Sequence, residues 1–249
     1  MKTSKTEIIN NCQKLVEAYK SGELGNVIMP EDSNPDFTNN QQEERLCYFT
    51  LPMALNYQRN SYRLWESSLE TWNDSKTRDV FSIKSSANMP EDELRTKLLK
   101  YKVALQPNKH INTWHRIAVT INDNWGTINE LMQSADNDYL ELRDIIQGSH
   151  KKQFPYLSGP KIFNYWSFII STYGNVPLKN KEYIEIAPDT HVTKCSVLLN
   201  VITEDEATRL TKDEISSRWR ELLNGSGITP IDMHPPLWFW SKNNFMYQL

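Results

Sequence analysis

Apolar residues recur at every third or fourth position along most of this 249-residue chain, a spacing typical of helices that bury one face. Strand patterns are rare, and the best candidate is the four-residue segment 183–186. Helical patterns run from about residue 8 to about residue 247, with a turn-rich interruption at 26–40. The sequence therefore predicts an all-α protein of about ten short helices, with a central buried helix around 163–170.

The composition, with 39% hydrophobic and 24% charged residues, is typical of a folded chain rather than a disordered one. No stretch approaches the roughly 18 apolar residues of a membrane helix, and the N-terminus lacks the apolar core of a signal peptide. Cys12, Cys47 and Cys195 are too few and too far apart for a disulfide scaffold, a zinc site or an iron–sulfur site. We expect a cytoplasmic monomer, nucleoid-associated if the source is prokaryotic, that needs no metal, cofactor or membrane.

The charge is unevenly distributed, although the net value is only −3. No Asp or Glu occurs from residue 145 to residue 181, whereas five lysines do: Lys151, Lys152, Lys161, Lys179 and Lys181. Charge alone favours a solvated surface here, but a local positive patch is also typical of nucleic-acid contacts.

Two segments on either side of an apolar helix carry a recognisable pattern. Residues 157–161 read L-S-G-P-K, and residues 186–192 read I-A-P-D-T-H-V. They resemble the L-P-G-V-G-x-K hairpin and the V-D-T-H segment of the helix-hairpin-helix DNA glycosylase superfamily, which includes endonuclease III and the 8-oxoguanine glycosylases. Within it, the chain is most similar to the archaeal-type 8-oxoguanine glycosylase branch, and a looser likeness extends over most of its length.

This resemblance implies the helix-hairpin-helix DNA glycosylase fold, with the whole chain, 1–249, as one glycosylase-like unit. Its active site would lie in the cleft between two helical subdomains, one formed by 1–75 and 205–249 and the other by 76–204. The implied partner is double-stranded DNA with a damaged base, and the implied activity is base-excision repair with cleavage of the abasic (AP) strand.

By the same resemblance, Lys161 is the nucleophile and Asp189 is the essential aspartate. Cleaving a glycosidic bond develops positive charge on the sugar, which a carboxylate stabilises. A neutral amine can attack C1′ to form a Schiff base, which then permits strand cleavage. We expect the apolar residues after Lys161 to desolvate its amine. The alternative is a solvated surface lysine and an aspartate that only caps a helix.

The hairpin of this superfamily binds the DNA backbone. The chain retains Gly159 but lacks two residues of the family spacing, and Pro160 has no N–H to donate. Lysines outside the hairpin are expected to compensate. The residues that the resemblance assigns to the DNA backbone are Ser158, Gly159, Lys151, Lys152 and Thr190.

The resemblance also implies a pocket for the flipped base. Tyr165 and Trp238 match the two stacking aromatics, and His234 stands where the archaeal-type branch has an acid. Asp36, followed by Phe37, stands where a D-P-Q-Y stretch has a glutamine that reads the purine edge. Because an aspartate also accepts from a purine N–H, an oxidised purine such as 8-oxoguanine stays the expected substrate.

Gln58 and Asn60 lie where the family places a polar wedge that fills the space left by the flipped base, although a polar helix surface explains both equally well. Three alternatives stay open at this point. The chain is an N-glycosidase for a modified nucleoside or nucleotide, a non-catalytic DNA-binding or partner-binding helical protein, or an unrelated all-α domain.

Overall fold

The computed structural model describes residues 4–25 and 27–249, and these form helices joined by turns and irregular segments, with no strand among them. The prediction of an all-α protein is therefore confirmed. Thirteen α-helices lie in the described residues, numbered in chain order: α1 Lys5–Ser21, α2 Gln42–Ala54, α3 Ser61–Asn73, α4 Ile83–Asn88, α5 Glu91–Lys100, α6 Pro107–Asn124, α7 Ile128–Ser134, α8 Tyr139–Arg143, α9 Pro160–Thr172, α10 Thr190–Leu198, α11 Glu204–Arg209, α12 Lys212–Leu223 and α13 His234–Lys242.

Shorter helical turns connect several of these helices. A π-helical turn, Asp144–Ser149, extends α8 directly. The remaining turns are 3-10 helices: Pro30–Asp32, Arg78–Phe81, Lys181–Tyr183 and Ile231–Met233. The candidate strand at 183–186 is not a strand, since its first residue ends one of these turns and the rest is irregular.

The prediction of about ten helices is too low for a physical reason. Helices α4 and α11 have six residues each, which is too short to show a helical repeat of apolar residues. The last helix also ends earlier than the apolar pattern predicted, at Lys242 rather than near residue 247.

The chain divides into two compact units. The terminal unit comprises Met1–Ile28 and Lys181–Leu249, and the middle unit comprises Met29–Asn180. These boundaries differ from the predicted ones near residues 75 and 204, although both divisions group the first helix with the last ones. That the whole chain works as one glycosylase-like unit stays a prediction.

In the middle unit, α9 packs against α2. The Trp166 indole donates to the Thr50 hydroxyl at 3.0 Å, and both groups are buried. Phe163 and Ile170 on α9 are also fully buried, which confirms the central buried helix predicted around 163–170. Its neighbours in the core include an aromatic cluster built from Tyr48, Phe49, Trp65, Trp72 and Phe81.

In the terminal unit, α13 packs against both α10 and α1. The Cys195 thiol on α10 donates to the Leu237 carbonyl oxygen at 3.1 Å. The Trp219 indole on α12 donates to the Ser196 hydroxyl at 2.8 Å. These buried contacts hold α10, which begins just after Asp189, against α13 and α12.

All three cysteines are buried free thiols. Burial raises the pKa of Cys12 and of Cys195 to about 12, and raises that of Cys47 well above its usual value. Among the described residues, no helix combines the length and the hydropathy that crossing a membrane requires.

Candidate active site

The hairpin predicted from residues 157–161 is a compact turn that ends at α9. The N–H groups of Ser158 and Gly159 donate to the carbonyl oxygens of Phe154 and Tyr156, both at 2.9 Å. A Cβ on Gly159 would lie 3.0 Å from the Tyr156 carbonyl oxygen, so this close turn favours glycine. Because both amides already have backbone acceptors, neither is available to bind a phosphate as the resemblance implied.

Lys161 lies in the first turn of α9 with its side chain exposed. The expectation that its apolar neighbours desolvate the amine is wrong, because Phe163 and Trp166 point into the core on another side of the helix. Tyr165 follows Lys161 by four residues and therefore shares its face. It is half-buried and stacks on Phe168, with ring centres 5.8 Å apart.

The predicted wedge lies beside the hairpin. The Tyr57 ring, 39% exposed, stacks on the Tyr156 ring with centres 5.0 Å apart and planes 25° apart. Gln58 follows in a left-handed backbone conformation (φ 49°) and is exposed. The structure thus brings together two segments that the sequence assigned separately to DNA, and neither tyrosine was among the predicted site residues.

Two side chains fix this wedge loop. Arg59 donates to the carbonyl oxygens of Lys102, at 2.9 Å, and of Val103. Burial lowers the pKa of Arg59 to about 10. Asn60 caps α3, since its side-chain oxygen accepts from the Arg63 N–H at 3.1 Å. Asn60 therefore has a structural role, and Gln58 is the better placed of the two wedge candidates.

Of the five lysines in the stretch 145–181, which has no Asp or Glu, only those near the hairpin keep an unpaired charge among the described residues. Lys179 pairs with Asp136 at 2.6 Å, and Lys181 pairs with Asp232 at 3.3 Å. The other three lysines of the run are exposed and make no ion pair within the described part of the chain: Lys151, Lys152 and Lys161. Their charges are available to an anionic partner.

Asp189 belongs to the terminal unit, whereas Lys161 belongs to the middle unit. One carboxylate oxygen of Asp189 accepts from the backbone N–H groups of His191 and Val192, both at 2.9 Å, and so caps α10. The positive end of the helix dipole favours a negative charge at this position. Thr190 is the exposed first residue of the helix.

The predicted second half of the base pocket lies near this cap. The His191 ring contacts Trp238 edge to face, with centres 5.6 Å apart, and its Nδ1 lies 2.9 Å from the Ser241 hydroxyl. Trp238 is half-buried, with the Lys242 ammonium 4.6 Å from its ring centre. His234 is buried at the start of α13.

The structure separates the two pocket residues predicted in the N-terminal loop. Asp36 is exposed. The Phe37 ring instead packs on Trp72 and Tyr48, at 5.2 and 5.7 Å between ring centres. Phe37 thus anchors its loop to the aromatic core, where burying the ring is favourable. The sequence around Asp36 does not indicate that the next residue packs into the core.

Glu31 was not predicted from the sequence, yet it is fully buried in the middle unit. Burial raises its pKa to about 7, and the side chains of Tyr165 and Trp65 lower it by a smaller amount. Nothing in the local sequence, a short P-E-D turn, distinguishes this carboxyl from its exposed neighbours. Its position beside Tyr165 makes it part of the candidate site.

A separate cavity of about 540 Å³ also lies in the middle unit, lined by Trp72, Phe81 and Ile83 among others. None of the predicted site residues lines it. No cluster of His, Cys, Asp and Glu side chains within residues 4–25 and 27–249 is arranged to hold a metal ion.

Comparison of the chain with models of known protein families gave no match, and comparison with curated proteins gave none either.

Proposed function

We propose that this protein is a DNA glycosylase with AP-lyase activity that removes an oxidised purine such as 8-oxoguanine. The observation that best supports this proposal is the position of Lys161. Its exposed side chain follows directly on a turn whose Tyr156 stacks on Tyr57 of the wedge loop. A base-flipping enzyme needs a nucleophile and a wedge on one DNA-facing surface, and these two segments would supply both.

In the proposed reaction, the Lys161 amine forms a bond to C1′ as the bond from C1′ to the base nitrogen breaks. The base leaves with the electron pair and takes a proton. The attached nitrogen gives up one proton, and O4′ takes up a proton as the C1′–O4′ bond breaks, which leaves a protonated Schiff base at C1′. Loss of a C2′ proton then expels the 3′ phosphate by β-elimination, and water releases the lysine.

Asp189 has the electrostatic role. The sugar becomes positively charged as the base departs, and an ionised carboxylate stabilises that charge. Two backbone N–H groups donate to Asp189 and fix the position of its carboxylate. Capping α10 and stabilising the sugar are compatible roles, because a carboxylate has two oxygens.

The test is borohydride trapping on duplex DNA that contains 8-oxoguanine, an abasic site or no lesion. We expect the wild type to be trapped on the first two duplexes and Lys161→Gln on neither. Lys84→Gln replaces another exposed lysine of the middle unit and should be trapped like the wild type. Absence of trapping on every duplex would contradict the lysine mechanism.

A second candidate function is favoured by one observation, the hairpin amides of Ser158 and Gly159 that are already hydrogen bonded. An N-glycosidase acting on a modified nucleoside needs a carboxylate but no grip on a DNA backbone. Measuring the affinity at several salt concentrations distinguishes the two functions, because duplex binding weakens steeply as the salt concentration rises and nucleoside binding does not.

A further inference from the structure

The cavity of about 540 Å³ in the middle unit has no part in the proposed function. The apolar part of its lining consists of four buried side chains: Cys47, Trp72, Phe81 and Ile83. The rings of Trp72 and Phe81 meet edge to face, with centres 5.3 Å apart. A cavity of this size holds a small organic molecule, and two aromatic rings in its wall favour a ligand with an aromatic group of its own.

Two of the carboxyl groups that line the cavity are already engaged. Asp79 pairs with the Lys97 ammonium at 2.6 Å, and its second oxygen is buried. Glu43 accepts from two N–H groups at the start of α7, at 2.9 and 2.8 Å. Neither carboxyl is therefore open to a ligand.

The other charged groups of the lining are exposed and make no ion pair within residues 4–25 and 27–249: Glu44, Arg78 and Lys84. Glu44 and Arg78 line one cavity and yet do not pair with each other. Each is therefore available to an opposite charge on a ligand.

Arg78 is the cation whose position the fold fixes. Its Nε donates to the Trp72 carbonyl oxygen at 2.6 Å, and its guanidinium carbon lies 5.5 Å from the centre of the Trp72 ring. These contacts hold the guanidinium beside the apolar lining and leave its two terminal nitrogens to donate. Such a fork binds a carboxylate through two parallel hydrogen bonds. The Lys84 side chain has no contact of this kind in the described part of the chain.

We propose that this cavity binds a free aromatic amino acid, a role that goes beyond the proposed function. The ring of the amino acid packs on Trp72 and Phe81. Its carboxylate accepts from the Arg78 fork, and its ammonium group donates to Glu44. A ligand with both signs of charge fits a lining that offers both, whereas an apolar anion or cation leaves one of them without a partner.

The test measures binding of L-tryptophan and of two analogues by calorimetry. Tryptamine lacks only the carboxylate, and indole-3-propionate lacks only the ammonium group. We expect the wild type to bind tryptophan about tenfold more tightly than either analogue, the effect of one hydrogen-bonded contact between charged groups.

The two variants of the charged residues should each lose a different preference. Arg78→Gln should bind tryptophan and tryptamine about equally and still prefer tryptophan to indole-3-propionate. Glu44→Gln should show the reverse pattern. Arg63→Gln, which removes an exposed arginine outside the cavity, should keep both preferences.

Both replaced residues of the cavity are exposed, so we expect both variants to fold. Loss of both preferences in one variant, loss of neither, or no binding of tryptophan to the wild type would overturn the inference.

Cys47 locates the bound tryptophan, because its buried thiol lines the cavity. At a tryptophan concentration ten times the Kd, alkylation of Cys47 should be about tenfold slower, because the bound ligand stabilises the closed form of its surroundings. An unchanged rate would place the tryptophan elsewhere and overturn the inference.

Discussion

Asp189 accepts from two backbone N–H groups at a helix N-terminus, whereas Glu31 is fully buried in the core of the middle unit. The first environment stabilises a negative charge, and the second penalises it. Two carboxyl groups of this chain are thus placed in opposite surroundings, one at a helix N-terminus and one in an apolar core.

Asp189→Asn should separate the capping role of this residue from its chemical role. Asparagine caps as well as aspartate, so we expect its unfolding free energy to stay within about 0.5 kcal/mol of the wild type, against a loss of about 1 kcal/mol for Asp189→Ala. Both variants should lose at least about a hundredfold in the rate of base excision. Chemical denaturation measures the stability, and single-turnover kinetics measure the rate of base excision. If Asp189→Asn were as active as the wild type, the residue would have only the capping role.

Glu31 should make stability depend on pH. Its pKa rises from 4.5 to about 7 on folding. Its contribution is therefore complete below pH 4.5 and is lost as the pH rises through about 7. Between about pH 4 and pH 8, the loss of this contribution should lower the free energy of unfolding by about 3 kcal/mol. In urea titrations at about pH 4 and pH 8, Glu31→Gln should lack this part of the decrease, and equal decreases in both proteins would contradict it.

At the scale of elements, a single side chain ties two helices of the middle unit together. The Glu43 carboxylate, in the first turn of α2, accepts from the N–H groups of Ile128 and Asn129 at 2.9 and 2.8 Å. These are the first two amides of α7, which have no partner within their own helix. The Cys47 thiol donates to the same carboxylate at 3.1 Å.

We expect Glu43→Ala to destabilise the protein by about 2 kcal/mol, because it leaves the two amides of α7 without their charged acceptor. Glu44→Ala, the exposed neighbour in the same turn, should change stability by less than about 0.5 kcal/mol. Thermal or chemical unfolding of the two variants checks this, and equal losses would show that the tether contributes nothing.

The sequence predicted well the elements whose apolar residues repeat over several turns, such as α1, α6 and α9. It missed α4 and α11, which are too short for a repeat. It also gave no indication that Glu31 is buried and Asp36 exposed, because a local motif does not reveal which of two nearby carboxyls the tertiary packing buries. The stack of Tyr57 on Tyr156 joins residues about a hundred positions apart, so no local pattern predicts it.

At the scale of the whole molecule, a net charge of −3 opposes binding to DNA unless positive charge is concentrated. The unpaired lysines near the hairpin supply such a concentration. If each of Lys151 and Lys152 contacts a phosphate, replacing both with glutamine should reduce the slope of log affinity against log salt by about 2. Lys179→Gln, which removes an ion-paired lysine, should leave the slope unchanged in fluorescence anisotropy titrations.

The three buried thiols have a practical consequence. Cys12 and Cys195 lie in the terminal unit, and Cys47 lies in the middle unit. Only a thiolate reacts with an alkylating reagent, so each cysteine reacts when its own surroundings open to solvent. Mass spectrometry of the alkylated peptides therefore measures the rate at which each unit opens. The natural cysteines serve as the probes, so no label has to be introduced.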